Sequence, residues 1–135
     1  PYTTLFRSIY MMDTDAQIRK KIMKAKTDLG PTEPNQQRPE EINNLFDLLR
    51  LVSTPDTLAH FDEQYNNCTI RYGDLKKQLA EDMVNMVAPI RNRIEDIMRD
   101  TNYLHRVITE GGEKARASAA ATLNEAKRMI GMRYV

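Results

Sequence analysis

The chain has 135 residues, with 20 Lys and Arg against 19 Asp and Glu for a formal net charge of +1, and it contains no Trp, three Phe and five Gly. That length is enough for one domain with a real core, while 29% charged residues and no apolar run near the ~20 residues needed to span a bilayer argue against a membrane protein. A single cysteine, Cys68, excludes an internal disulfide, and His60 and His105 lie too far apart in sequence to resemble a zinc site.

Eight Met, many Ala and the lack of strong strand runs suit helix-on-helix packing. The cysteine usage points to a reducing, cytoplasmic setting. The chain shows neither an initiator Met nor a signal peptide, so it reads as part of a longer protein. Residues 1–8, PYTTLFRS, fit no helix cap and no strand alternation. They match the translation of a common sequencing-adapter oligonucleotide (CCC TAC ACG ACG CTC TTC CGA TCT); the alternative is an ordinary disordered terminus. Such a scar stands outside any reasoning about the fold.

Residues 9–13 form a short extended lead-in. A helix follows, with Thr14 as cap and Gln17 completing a capping box. Ile18, Ile22, Ala25 and Leu29 make its buried stripe, and Arg19, Lys20, Lys21, Lys24 and Lys26 crowd the rest. Gly30 and Pro31 end it, and residues 30–39 are a surface loop with three prolines. Pro39 opens the second helix at a favoured first position, with Ile42, Leu45, Phe46, Leu49 and Val52 as its core face. Thr54 caps a short third helix with Pro55 in its first turn; Leu58, Phe61 and Tyr65 point inward.

Residues 72–98 form the helix that organises the chain. Leu75, Leu79, Met83, Met86, Ile90, Ile94 and Ile97 recur at steps of four and three, one apolar seam close to a heptad pattern. Pro89 supplies no N–H to the carbonyl of Asn85, so a bend is expected there. Asp100 caps another short helix, with Leu104, Val107 and Ile108 buried and His105 half-buried beside them. Gly111 and Gly112 make a hinge or corner. A last helix spans about 113–130, lined on one side by Ala115, Ala119, Thr122, Ala126 and Met129, and Gly131 is its C-cap signal. The expected architecture is all-α, a bundle of about six helices with a long central helix kinked at Pro89.

Charge is uneven along this sequence: residues 9–28 carry five basic and three acidic residues, 29–70 two and seven, and 71–135 twelve and nine. The two ends can present basic surface, as a nucleic-acid binder requires, or simply solvated faces with pairs such as Glu110–Lys114. No catalytic constellation stands out. The carboxylates fall on predicted solvent faces rather than in a desolvated pocket. Ser8, Ser53 and Ser118 lack a nucleophile-elbow setting, and no Gly-x-x-x-x-Gly-Lys spacing surrounds Gly111-Gly112. His105 reads as a packing residue and Tyr72-Gly73 as an entry turn.

Four segments, in order, carry a resemblance. DAQIRKKIMKAKTD (15–28) resembles the helix that follows the Lys-Met-Ser-Lys-Ser loop in tryptophanyl-tRNA synthetases. EEINNLFDLL (40–49) looks like their Asn-Leu-Leu helix, although Glu41-Ile42 stands where the family often has Gly-Val. YGDLKKQLAEDMVNMVAPI (72–90) resembles their long C-terminal helix, and EGGEKARASAAATLNEAKRMIGM (110–132) their closing helix. The Lys-Met-Ser-Lys-Ser loop and the Rossmann-type catalytic domain are not in this sequence.

The resemblance implies a parent tryptophan–tRNA ligase that uses ATP and magnesium and forms a homodimer through its catalytic domain. This chain would be a C-terminal fragment, with no catalytic residue and no cofactor of its own. Residues 9–28 would follow the catalytic domain, 29–39 would be a loop, and 40–135 a helical domain that binds the anticodon end of tRNA. Lys76, Lys77, Arg91, Arg93, Lys114, Arg116, Lys127 and Arg128 are the candidate tRNA contacts, meeting phosphates from solvent-facing positions. The alternative is a structural helical bundle or coiled-coil-type module with no RNA role.

Overall fold

Thr14 turns the lead-in into the first helix, α1 (Asp15–Met23), in the computed structural model of the protein, which describes residues 8–132. Its hydroxyl accepts from the Gln17 N–H at 3.3 Å and the Gln17 side chain accepts from the Thr14 N–H at 2.8 Å, the reciprocal capping box expected. Then come α2 (Glu40–Val52), α3 (Pro55–Asn66), α4 (Tyr72–Arg99) and α5 (Thr101–Met129), and the described residues contain no strand. Thr54 caps α3 through the Thr57 N–H, with Pro55 first in the helix, and Asp100 caps α5 through the Tyr103 N–H at 2.9 Å. Pro39 serves α2 as its N-cap, one position before the helix. Of the adapter-like run, residues 1–7 lie outside the described residues; Ser8 does not, and its carbonyl accepts from Lys21 Nζ at 2.8 Å.

The chain divides into two compact units, Pro1–Asn92 and Arg93–Val135. In the first, Ile18 and Ile22 of α1 meet Ile42, Leu45, Phe46 and Leu49 of α2, Phe61 and Tyr65 of α3, and Leu75, Leu79, Ala80, Met83, Val84 and Val87 of α4. Phe46 and Tyr65 pack edge to face, centroids 6.1 Å apart. The Arg38 guanidinium lies 3.7 Å above the Phe46 ring and donates to Asp62 Oδ1 at 2.6 Å. The second unit holds the end of α4 and all of α5, and none of the described α5 residues is buried.

Several expectations are corrected. The helices number five among the described residues, because Gly111 and Gly112 stay helical inside α5. Glycine permits a corner but does not force one; without side chains locking a turn, the backbone hydrogen bonds simply continue. α1 stops at Met23 rather than near Gly30. The carbonyl of Ala25, which a longer helix would offer to the Leu29 N–H, accepts instead from Lys76 Nζ at 2.7 Å, and Leu29 is fully exposed. α4 runs as one helix through Pro89, so the bend expected there is not confirmed.

The central seam also departs from expectation. It is buried at Leu75, Leu79 and Met83, but Val87 takes the next inward position while Met86 and Ile90 are 39% and 41% exposed and Ile94 and Ile97 half-buried. Leu75, Leu79, Met83 and Val87 are a strict four-step row, the row a straight helix presents to ridges-into-grooves packing. The heptad row drifts off that contact. In α5, Val107 and Ile108 are exposed, Leu104 is half-buried and His105 lies on the surface, as do Ala115, Ala119, Thr122, Ala126 and Met129.

Candidate nucleic-acid interface

The eight candidate cations fall into two groups. Lys76 and Arg91 of α4 do not face solvent. Lys76 is 8% exposed and spends its ammonium on the backbone, donating to the Ala25 carbonyl and to Thr27 Oγ1 at 3.3 Å. Burial holds its pKa below the ordinary lysine value, since no carboxylate offsets the lost hydration. It fastens residues 25–27 to α4.

Arg91 sits one turn beyond Val87, at the foot of α1. Its Nη1 donates to the Asp13 carbonyl at 2.6 Å and its Nη2 to Asp15 Oδ1 at 2.7 Å. Asp13 is itself buried, and its carboxylate accepts from the Tyr10 N–H at 2.8 Å and from Lys21 Nζ at 2.5 Å. Burial alone would raise the Asp13 pKa; the hydrogen bond from Lys21, that from Tyr10 and the Lys21 charge outweigh it and bring the carboxyl down. Arg91, Lys21 and Asp13 thus pin the lead-in to α1 and α4. A second fork, Arg19 Nε and Nη2 on the two oxygens of Glu81 at 2.8 and 2.9 Å, also ties α1 to α4.

The other six lie off the buried core, five of them exposed and Lys127 partly buried. Lys77 is exposed, with Asp74 Oδ1 3.8 Å from its ammonium. Arg93, Lys114, Arg116 and Arg128 are exposed, and Lys127 is half-buried in the last turn of α5. Arg116 folds back so that its guanidinium would lie 3.3 Å from a Cβ placed on Gly112. Lys127 and Arg128 stand at the C-terminal end of α5, where the helix dipole favours positive charge. Five of these six, all but Lys77, lie in the second unit.

That unit also contains a groove of about 200 Å³ lined by Arg93, Asp96, Ile97, Asp100 and Tyr103. Tyr103 is 41% exposed, and the Arg106 guanidinium lies 5.5 Å from its ring centroid. Neither Tyr103 nor Arg106 was among the sequence candidates. The signal was present: an aromatic and an arginine three apart, just after a helix cap, share one helical face.

Comparison with known proteins gives the same family as the four segments. The chain is 54% identical over 126 residues to the tryptophan–tRNA ligase of Porphyromonas gingivalis, an alignment covering 93% of this chain and 38% of that protein. The chain is a relative of the tryptophan–tRNA ligases. The tryptophan–tRNA ligase 1 of Streptomyces coelicolor is 37% identical over 92% of the chain and 36% of its own length. That of Helicobacter pylori is 34% identical over 93% and 37%. The chain therefore spans well under half the length of the ligases it matches. No family model matches it. None of the described helices is long and apolar enough to cross a membrane.

Proposed function

We propose that this chain is the C-terminal helical, tRNA-binding part of a cytoplasmic tryptophan–tRNA ligase and has no ligase activity by itself. The observation that carries the reading is the 54% identity to a tryptophan–tRNA ligase across 93% of the chain. The surface chemistry supports it: Lys77, Arg93, Lys114, Arg116, Lys127 and Arg128 are cations off the buried core, suited to phosphates rather than to base edges. Lys76 and Arg91 leave that set, because their charges are committed to holding the fold. ATP and magnesium would be handled outside these residues. Among the described residues no group of His, Cys, Asp or Glu is built to hold a metal.

The test is tRNA binding across a salt series, with Lys114 and Arg116 reversed to Glu. The double reversal should weaken all tRNAs alike and flatten the log–log salt dependence by about one unit per lost contact. The same preparation should show no tryptophan-dependent ATP–pyrophosphate exchange. Unchanged binding and slope in the double variant would refute the assignment of these cations. A second reading, a helical interaction module without an RNA role, is favoured by the bare apolar side of α5, where Ile108, Leu123 and Met129 are exposed. Sedimentation separates the two: a monomer that shifts with tRNA supports the first, a stable oligomer indifferent to RNA the second.

A further inference from the structure

A carboxylate bound to a lysine takes the place that a phosphate would take, because both anions draw on the same donors. In the lead-in, Asp13 has that position. Its carboxylate accepts from Lys21 Nζ at 2.5 Å, and its backbone carbonyl accepts from Arg91 Nη1 at 2.6 Å. Two cations from different helices, α1 and α4, therefore converge on one residue. Their side chains are 20% and 14% exposed.

Little else fastens the segment. Ile9 packs against the core, but Tyr10, Met11 and Met12 are 44%, 45% and 50% exposed. Other polar contacts run through the same two residues. Lys21 Nζ also donates to the Ser8 carbonyl and stands 4.7 Å from the centre of the Tyr10 ring. Asp13 Oδ2 also accepts from the Tyr10 N–H, and the Asp13 N–H donates back to the Tyr10 carbonyl at 3.0 Å. A segment with so little buried apolar surface belongs to the low-stability end of a fold, and partly exposed ion pairs yield to a competing polyanion.

The surface beside the lead-in is basic. Lys20 in the last turn of α1 and Lys24 at its C-cap are both exposed, and Lys24 is three positions from Lys21 and four from Lys20, so the three are neighbours on the helix. Lifting the lead-in would free the Lys21 ammonium from Asp13 and Ser8. It would free only one arm of Arg91, since Nη2 keeps Asp15 Oδ1 at 2.7 Å. Arg19 would stay on Glu81.

We infer that residues 8–13 are an autoinhibitory strap: Asp13 stands in for an RNA phosphate on Lys21, and lifting the strap adds Lys21 and one arm of Arg91 to the phosphate-binding cations of the chain. The inference rests on the tRNA-binding reading above and adds to it a control on that binding. Arg91 holds the fold while the strap is closed and meets RNA when it is lifted. The coupling is reciprocal: an open strap binds RNA more tightly, and bound RNA opens the strap.

The experiment uses the 135-residue chain and tRNA, with hydrogen exchange followed by nuclear magnetic resonance. Saturating tRNA should speed exchange at the Tyr10 and Asp13 amides, whose bonds hold the strap closed, and leave the amides of α2 and α3 unchanged. Asp13→Asn removes the charge but keeps the shape. It should tighten tRNA binding about threefold to tenfold, the penalty lifted when a binding-competent state is no longer a minor one. Adding Lys21→Gln to Asp13→Asn should cancel that gain, which a merely structural role for Asp13 would not produce. Circular dichroism checks that each variant keeps its helices; if Asp13→Asn loses them, exchange in the wild type decides. Unchanged or slower exchange at Tyr10 and Asp13 in saturating tRNA overturns the strap, as does a folded Asp13→Asn variant with wild-type affinity. If tRNA binds in those cases, the strap alone has failed; if neither the wild type nor Asp13→Asn binds tRNA, the tRNA-binding reading has failed with it.

Discussion

Leu79 and Ile90 belong to the same heptad row of α4, and the structure separates them. Leu79 is wholly buried among α1, α2 and α3, whereas Ile90 is 41% exposed. Replacing Leu79 by Ala removes three carbons from the core, about 2.4 kcal/mol at ~0.8 per carbon. The cavity left behind adds about 1–2 kcal/mol, because close-packed neighbours relax only in part. The expected loss is about 3–4 kcal/mol. Replacing Ile90 by Ala also removes three carbons, but little more than half of that surface is shielded and solvent fills the gap. Its expected loss is about 1–1.5 kcal/mol. With a urea m value of about 1.5 kcal/mol/M, the midpoints should fall by about 2 M and about 1 M or less. The assay is urea unfolding followed by near-ultraviolet circular dichroism, which reports on buried tyrosines such as Tyr65 in the first unit. Equal losses at the two positions would refute the reasoning, since Ile90 would then have to be covered as fully as Leu79.

Two further outcomes follow from buried polar groups. Lys76 has a folded pKa below the ordinary lysine value, so the unfolded chain binds more protons in the window between the two, and stability should rise with pH through that window. Urea midpoints between about pH 8 and 10 should therefore climb in the wild type and climb less in Lys76→Met; parallel curves would show that Lys76 is not desolvated. The Tyr72 hydroxyl is shielded from solvent without a partner in hydrogen-bond geometry, and burial, with Asp28 nearby, pushes its pKa up. Tyr72→Phe at neutral pH should leave stability unchanged or raise it by up to about 1 kcal/mol, and a loss of that size instead would mean that the hydroxyl is bonded, Asp28 being the nearest candidate.

Much of the local structure was legible before any coordinates. Caps are short-range chemistry: Thr14 with Gln17, Thr54 before Pro55, and Asp100 each act on backbone groups within three positions, so their types and spacing announce them. The inward residues of α2 and α3, from Ile42 and Phe46 to Phe61 and Tyr65, were likewise readable from period alone. Gly131, at φ +72° just past α5, fits the C-terminal signal read there. The cationic candidates were harder. A lysine or arginine off an apolar row looks solvent-facing in sequence, but Lys76 and Arg91 lie at the edges of the buried row, where a long side chain can turn inward to a carbonyl or carboxylate on another element.

The amino-acid sequence by itself determined the helical class, the caps, the inward faces of the shorter helices and, through four ordered segments, the kinship with tryptophan–tRNA ligases. Each depends on residues close together in the chain or on the order of such residues. Tertiary structure decided where α1 ends, since a lysine 51 positions away takes the Ala25 carbonyl. It decided which side of α4 is core, since α1, α2 and α3 cover the four-step row to Val87 and leave Met86 and Ile90 half in solvent. It also decided that Gly111 and Gly112 continue a helix and that Tyr103 and Arg93 line one groove. Periodicity states which residues can share a face; only the neighbouring element determines which of those faces is buried.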